Sequence, residues 1–166
     1  MFYEEIFKSL NKRHIDYVVV GGVALVLHGI VRLTADLDLM LSLEEKNIAR
    51  FVDVMNEFGY KPRIPVKAEE LLDPKKRDYW LKEKNMKVFS FYHPHEAISL
   101  IDIFIYEPVD YNELKKHSVK MKIGNFFVPV TSIDDLIRLK KISGRKQDIE
   151  DIKVLKEIKK YEKKQK

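Results

Sequence analysis

Apolar residues recur along this chain with two different periods. Ile6, Phe7 and Leu10 stand at helical spacing within residues 3–13, which predicts a short opening helix. Tyr17-Val18-Val19-Val20 is a continuous, β-branched apolar run that reads as a buried strand, and it ends at Gly21-Gly22. A helix over Val23–His28, stopped by Gly29, follows. Asp36-Leu37-Asp38-Leu39-Met40-Leu41 alternates and reads as a second strand. The next helix spans Leu43–Phe58, with Ser42 as its cap, Glu45 completing a capping box, and Ile48, Phe51, Val52 and Met55 as its buried stripe.

Between Tyr60 and Met86, prolines at 62, 65 and 74 break the pattern and leave room for one short helix. Lys87–Tyr92 and Ile98–Ile105 read as strands, the second apolar throughout except for Asp102. Val119–Ile123 and Phe126–Val130 flank Gly124-Asn125, a hairpin signal. Thr131-Ser132 cap a helix that runs through Ile142 and ends at Gly144. A last helix starts near Gln147 with Ile149, Ile152, Leu155 and Ile158 on one face. Strands and helices interleave and the hairpin makes the sheet mixed. The expected fold is α/β (α+β): a single mixed sheet with flanking helices in one domain over 1–166, with a core to about residue 130 and a helical part after it.

Composition narrows the chemistry. The 166 residues contain no cysteine, which excludes disulfides, thiolate zinc sites and cysteine nucleophiles. The longest uncharged run, from Tyr17 to Val31, holds two adjacent glycines and a histidine and is too short to cross a bilayer. The acidic opening Met1-Phe2-Tyr3-Glu4-Glu5 has no leader-like apolar segment behind it, so no membrane association and a cytoplasmic location are expected. The net charge of +5 belongs to residues 153–166, where seven lysines stand against Glu157 and Glu162. The rest of the chain holds 24 basic and 24 acidic residues and is neutral. A basic nucleic-acid-binding body is therefore not expected, and the lysine tail reads either as a solvated helix end or as an arm for RNA.

The acidic residues in strands are the unusual feature. Asp36 and Asp38 point to one side of their strand while Leu37 and Leu39 point to the other. Two carboxylates one pleat apart repel each other unless a cation lies between them, and Mg²⁺ uses carboxylates in this way. Asp102 sits in the middle of Leu100-Ile101-Asp102-Ile103-Phe104-Ile105, where a lone buried charge is costly. If the two strands are neighbours, three carboxylates converge. That suffices for two Mg²⁺ ions roughly 3.5–4 Å apart, the arrangement used for in-line displacement at phosphorus. Gly21-Gly22 at a strand-to-helix turn lets backbone N–H groups approach a phosphate.

Val20-Gly21-Gly22, thirteen residues, Asp36-Leu37-Asp38-Leu39 and a later strand aspartate resemble the nucleotidyltransferase superfamily that includes DNA polymerase beta. The stretch Gly29–Leu39, with Arg32 and Thr34, resembles a small bacterial and archaeal subgroup related to abortive-infection toxins and lincosamide-modifying enzymes. So does Leu139-Lys140-Lys141-Ile142-Ser143-Gly144-Arg145 with Asp148 and Asp151. The likeness covers about residues 15–41, 98–105 and 131–155, and departs at Gly22, where many members carry serine.

The resemblance implies that Asp36 and Asp38 bind two Mg²⁺ ions, with Mn²⁺ as an alternative. Asp102 binds the catalytic metal and acts as general base on the acceptor hydroxyl. It implies further that Gly21 and Gly22 hold the triphosphate of an NTP, and that Arg32 and Thr34 contact phosphate or shape the loop. Lys140 reaches the β/γ-phosphates, with Lys141 as competitor, and Arg145, Asp148 and Asp151 form an ion-pair network. The expected activity is Mg²⁺-dependent transfer of an NMP from an NTP to a hydroxyl of a small molecule, protein or RNA, releasing pyrophosphate. An antitoxin or regulatory partner protein fits the subgroup. The rival readings are a module that binds nucleotide without chemistry and an RNA-binding protein acting through its lysine tail. Trp80, among Lys75, Lys76, Arg77, Lys82 and Lys84, either caps the core or selects a base or acceptor by stacking. His93 and His95 around Pro94 read as a polar turn, and His28 as a site residue or a helix end.

Overall fold

The computed structural model describes residues 3–166, so the Met1-Phe2 start of the acidic opening segment lies outside it. Among the described residues seven strands form one mixed sheet, in the order β3-β4-β5-β2-β1-β7-β6. These are β1 (Tyr17–Val20), β2 (Asp36–Leu41), β3 (Lys61–Pro62), β4 (Val88–Tyr92), β5 (Leu100–Phe104), β6 (Val119–Ile123) and β7 (Phe126–Val130). The helices are α1 (Glu4–Lys12), α2 (Gly21–Leu27), α3 (Glu45–Glu57), α4 (Pro74–Lys84), α5 (Tyr111–His117), α6 (Ile133–Ser143) and α7 (Lys146–Lys164), with a 3-10 turn at Ala68–Leu72.

Strand β2 lies at the centre of the sheet, antiparallel to β1 and parallel to β5. The expected hairpin is present as β6–β7. One face of the sheet carries Tyr17, Val19, Leu37, Leu39, Phe89, Phe91, Ile101 and Ile103, packed under α1 and α3 with Trp80 of α4. The other face carries Val18, Val20 and Met40 against Tyr111 and Leu114 of α5, with Phe104 and Leu139 at the margin. That second cluster is small. It leaves part of the sheet face uncovered at the carboxylate positions.

Several elements differ from the sequence reading, each for a local reason. Helix α3 starts at Glu45 after Glu44, and no side chain caps it. Ser42 instead extends the β1–β2 pairing by one step, donating its N–H to the Asp16 carbonyl. Asn47, buried on α3, takes over the polar groups of this corner. Its Oδ1 accepts from Asp16 N–H at 2.8 Å and its Nδ2 donates to the carbonyls of Asp16 and Ser42, each at 2.9 Å. The 60–86 region holds the full three-turn helix α4, begun by Asp73 and Pro74 and closed at Asn85 in the left-handed region. Helix α5, capped by Asp110, has too few apolar positions to show a period. The α6 cap is as expected, with Ser132 accepting from Asp135 N–H at 3.1 Å. Ile149 is more than half exposed, so the buried stripe of α7 is Ile152, Leu155 and Ile158.

Trp80 packs on Phe89, ring centroids 5.5 Å apart, on the face of the sheet opposite the carboxylates. It is a core residue, which overturns its candidacy as a base- or acceptor-stacking ring. Removing the Asn47 side chain strands one buried N–H and two carbonyls, so Asn47→Ala is expected to lower the unfolding free energy by about 2 kcal/mol. A shift of the urea midpoint without a change in slope checks it.

Candidate active site

Register decides the geometry of the carboxylates. Asp38 stands opposite Asp102 in the parallel β2–β5 pair and opposite Val20 in the β1–β2 pair, with Asp36 one pleat away beside Leu100. All three therefore rise from one face of the sheet, while Leu37, Leu39, Ile101 and Ile103 anchor the same strands in the core on the other. The Asp102 Oδ1 atom is buried and has no hydrogen-bond partner. Ser90, across from Asp102 on β4, donates to its carboxylate.

This crowding shows in the acid strengths. Burial, then the charges of Asp102 and Asp36, push the Asp38 carboxyl up to about 7, against hydrogen bonding from the Gly22 backbone N–H and the charge of Arg145. Burial also raises Asp102, opposed by the Ser90 hydroxyl. Among the described residues no group of three or more His, Asp or Glu side chains forms a ready-made metal cage. The donor set still suits a hard cation: acidic oxygens, one of them orphaned, and carboxyls held above their ordinary range by burial first and by neighbouring carboxylates second.

The Gly-Gly turn fits against these acids. Gly21 has φ +65°, and a Cβ there would overlap the Asp38 carboxylate. A Cβ on Gly22 would run into the Thr34 hydroxyl. A side chain at this position would therefore displace the Thr34 hydroxyl. Thr34 also reaches toward the Asp36 carbonyl at 3.4 Å, so it ties the turn to the start of β2.

A cleft of about 380 Å³ opens from this point. It is lined by Val20, Asp38, Asp102 and Phe104 of the sheet, by Tyr106 and Pro108 after β5, and by Leu139, Ile142 and Arg145 of the α6–α7 corner. Sequence reasoning did not single out Ser90, Phe104 or Tyr106. Ser90 had a signal, since it is the polar residue of the alternating Phe89-Ser90-Phe91.

The remaining candidates lie at the α6–α7 corner. Lys140 is buried, and its Nζ contacts Asp148 at 3.2 Å and Asp151 at 2.7 Å. Arg32 pairs with the same Asp151 oxygen. Arg145 pairs with Asp148 through Nε at 3.2 Å and through its backbone N–H at 3.0 Å. Burial pushes the Asp148 carboxyl up, but hydrogen bonds from Ser143, Arg145 and Lys140 outweigh it and bring its pKa down to about 2. Lys141 is exposed. His28 bonds the Thr131 carbonyl at 2.8 Å and holds α2 to the start of α6. His93 packs edge-on against Tyr60 and His95, consistent with a turn.

An acidic pair across central parallel strands, a glycine turn against it and a cleft alongside lie together, as the resemblance to nucleotidyltransferases implies. The chain belongs to the family described as nucleotidyltransferase of unknown function (DUF6036), whose model matches residues 2–162. No match was found among curated proteins. Similar solved structures include the lincomycin-bound lincosamide antibiotic adenylyltransferase LnuA, with a TM-score of 0.60 at 17% identity over 93% of this chain and 94% of that one. The complex of ANT(2'')-Ia with adenylyl-2''-tobramycin gives 0.60 at 12%, covering 93% and 85%. An antigenic nucleotidyltransferase-like protein from Paracoccidioides brasiliensis gives 0.59 at 16%, covering 91% and 72%. At these identities the likeness is one of fold. No helix among the described residues is long and apolar enough to cross a membrane.

Two outcomes follow for the metal-free protein. A carboxyl raised in the folded state contributes stability below its unfolded pKa, and that contribution is lost as pH rises through about 7 for Asp38. Asp38→Asn removes this dependence. Its melting temperature is expected to match wild type near pH 4 and exceed it increasingly up to pH 7–8, with a ceiling of about 1.4 kcal/mol per pH unit. Lys140→Met breaks two buried ion pairs, leaving Asp151 with Arg32 and Asp148 with Arg145, and is expected to cost about 3 kcal/mol in denaturant titrations.

Proposed function

We propose that this nucleotidyltransferase moves a nucleoside monophosphate from an NTP to a hydroxyl acceptor and releases pyrophosphate, with two divalent cations held by Asp36, Asp38 and Asp102. The observation that carries the reading is the Asp38–Asp102 register pair, with its orphaned oxygen, pressed against a glycine that admits no side chain. Bound Mg²⁺ supplies charge neutralisation at the transferring phosphoryl group and lowers the pKa of the attacking hydroxyl.

The chain's own groups do the rest. The cleft seats the nucleotide against Phe104, Tyr106 and Pro108, with its α-phosphate at the acidic end. Gly21 and Gly22 make room for the Asp38 and Thr34 side chains, and Gly21 borders the cleft where the triphosphate is held. Arg32 and Thr34 shape the loop that delivers Asp36, one through Asp151 and the other by closing over Gly22. Asp102, made more basic by burial, accepts the proton of the acceptor hydroxyl. The hydroxyl oxygen bonds to the α-phosphorus as the bond from that phosphorus to the β-bridging oxygen breaks, and the electron pair leaves with pyrophosphate.

Lys140 supports this site from inside the corner, where it fixes the start of α7, and its ammonium reaches the phosphates only through that corner. We read the described chain as one domain that carries both the carboxylates and the helical wall of the cleft.

The test is incubation with each labelled NTP, Mg²⁺ and a cell extract, followed by fractionation of the labelled product. Asp38→Ala and Asp102→Ala are each expected to reduce transfer by at least about 10³-fold while remaining folded. Gly21→Ala is expected to do the same by forcing Asp38 aside. Product formation undiminished in Asp38→Ala contradicts the mechanism.

A further inference from the structure

Besides the paired aspartates, four charged side chains line the cleft: Lys87, Lys140, Arg145 and Asp148. They are not equally free to meet a ligand. Lys140 is buried between two carboxylates, and withdrawing it would break both of its ion pairs. Asp148 is buried and satisfied from several sides. Lys87 makes no ion pair among the described residues, but it adjoins Val88, which pairs with Phe104, and no carboxylate aims it into the cleft.

Arg145 is different in kind. Its side chain is 74% exposed, yet it is tethered at both ends of one contact, since Asp148 Oδ2 receives its backbone N–H and its Nε–H. The two terminal nitrogens of the guanidinium have no protein partner among the described residues. A guanidinium carries five N–H donors in a planar fork. Using Nε alone leaves the outer edge, the edge that suits a phosphate, directed away from Asp148. The side chain lines the same cleft as Asp38 and Asp102, and its charge acts on Asp38, so the cation belongs to the acidic part of the cleft.

Turning this group toward a ligand costs little. Asp148 would keep Lys140, Ser143 and the backbone N–H of Arg145, the cap of α7. The glycine turn does not compete strongly for the same ligand, because the Gly22 N–H is already directed to Asp38.

We propose that Arg145 is the cation that grips the non-transferred phosphates of the NTP, with Asp148 and Lys140 as the buried anchor that aims it. The assignment rests on the nucleotidyltransferase reading and adds a residue to it. It also divides the labour at the α6–α7 corner: Lys140 is a positioning residue, and Arg145 touches the leaving group.

Binding of inorganic tripolyphosphate with Mg²⁺, measured by calorimetry on the whole chain, tests this without requiring turnover. Arg145→Ala keeps the backbone cap of α7 and is expected to fold with an unchanged melting temperature. Its affinity for tripolyphosphate is expected to fall about tenfold or more, the loss of one charge-assisted fork, while affinity for a nucleoside monophosphate changes less than about twofold. Arg145→Lys is expected to recover part of the loss. Arg138→Ala removes one positive charge from α6 outside the cleft and is expected to leave binding unchanged.

Equal tripolyphosphate affinity in wild type and Arg145→Ala overturns the assignment. So does an equal loss for tripolyphosphate and monophosphate, or the same loss in Arg138→Ala. If Arg145→Ala binds normally while Asp38→Ala abolishes transfer, the proposed reaction stands and only the role of Arg145 falls.

Discussion

Repulsion between carboxylates on facing positions of two parallel strands is the constraint around which this molecule is built. Asp38 and Asp102 share a rung of the β2–β5 pair and Asp36 stands one pleat away, on a sheet face whose other central residues are apolar. Such a cluster opposes folding unless it is held in place by something stronger. Here the anchor is the reverse face of the same strands, where Leu37, Leu39, Ile101 and Ile103 are fully buried beneath the main core. Alternation along a strand makes the two inseparable: each buried leucine or isoleucine fixes the direction of the acid beside it. The rest of the face yields to the acids. Helix α5 stops short of them, Gly21 gives up its side chain to them, and Ser90 solvates one of them.

The second tier of charge works in the opposite sense. At the α6–α7 corner, Lys140, Arg32 and Arg145 share Asp148 and Asp151, and the cations outnumber the acids by one. Buried pairs of this kind add little net stability, but breaking one is costly, so they specify geometry. The network joins three segments distant in sequence: the loop that leads into β2, the end of α6 and the first turns of α7. It thereby sets the cleft wall that faces the acidic floor. An anionic floor opposite a wall with a surplus cation suits a phosphate chain whose own charge is bridged by cations.

Much of this was legible in the sequence. The period-two pattern of Asp36–Leu41 and the single acid in Leu100–Ile105 gave both the faces and the convergence, because a strand leaves a side chain only two directions. Gly124-Asn125 gave the hairpin and Ser132 the α6 cap. What was not legible depended on contacts between distant segments. Ser42 resembles a cap, but the corner is satisfied by Asn47 from within the helix. Trp80, in a run of cations, resembles a stacking platform, yet the neighbouring Phe89 draws it into the core. Lys140 and Arg145 are both basic residues on one motif, and only burial separates them.

A crystal structure of the protein with Mg²⁺ and a non-hydrolysable NTP analogue tests the central claim most directly. The account predicts cations bridging the α-phosphate to Asp36, Asp38 and Asp102, with the phosphate chain passing Gly21. Triphosphate bound elsewhere, or bound with these three carboxylates free of any cation, would contradict it.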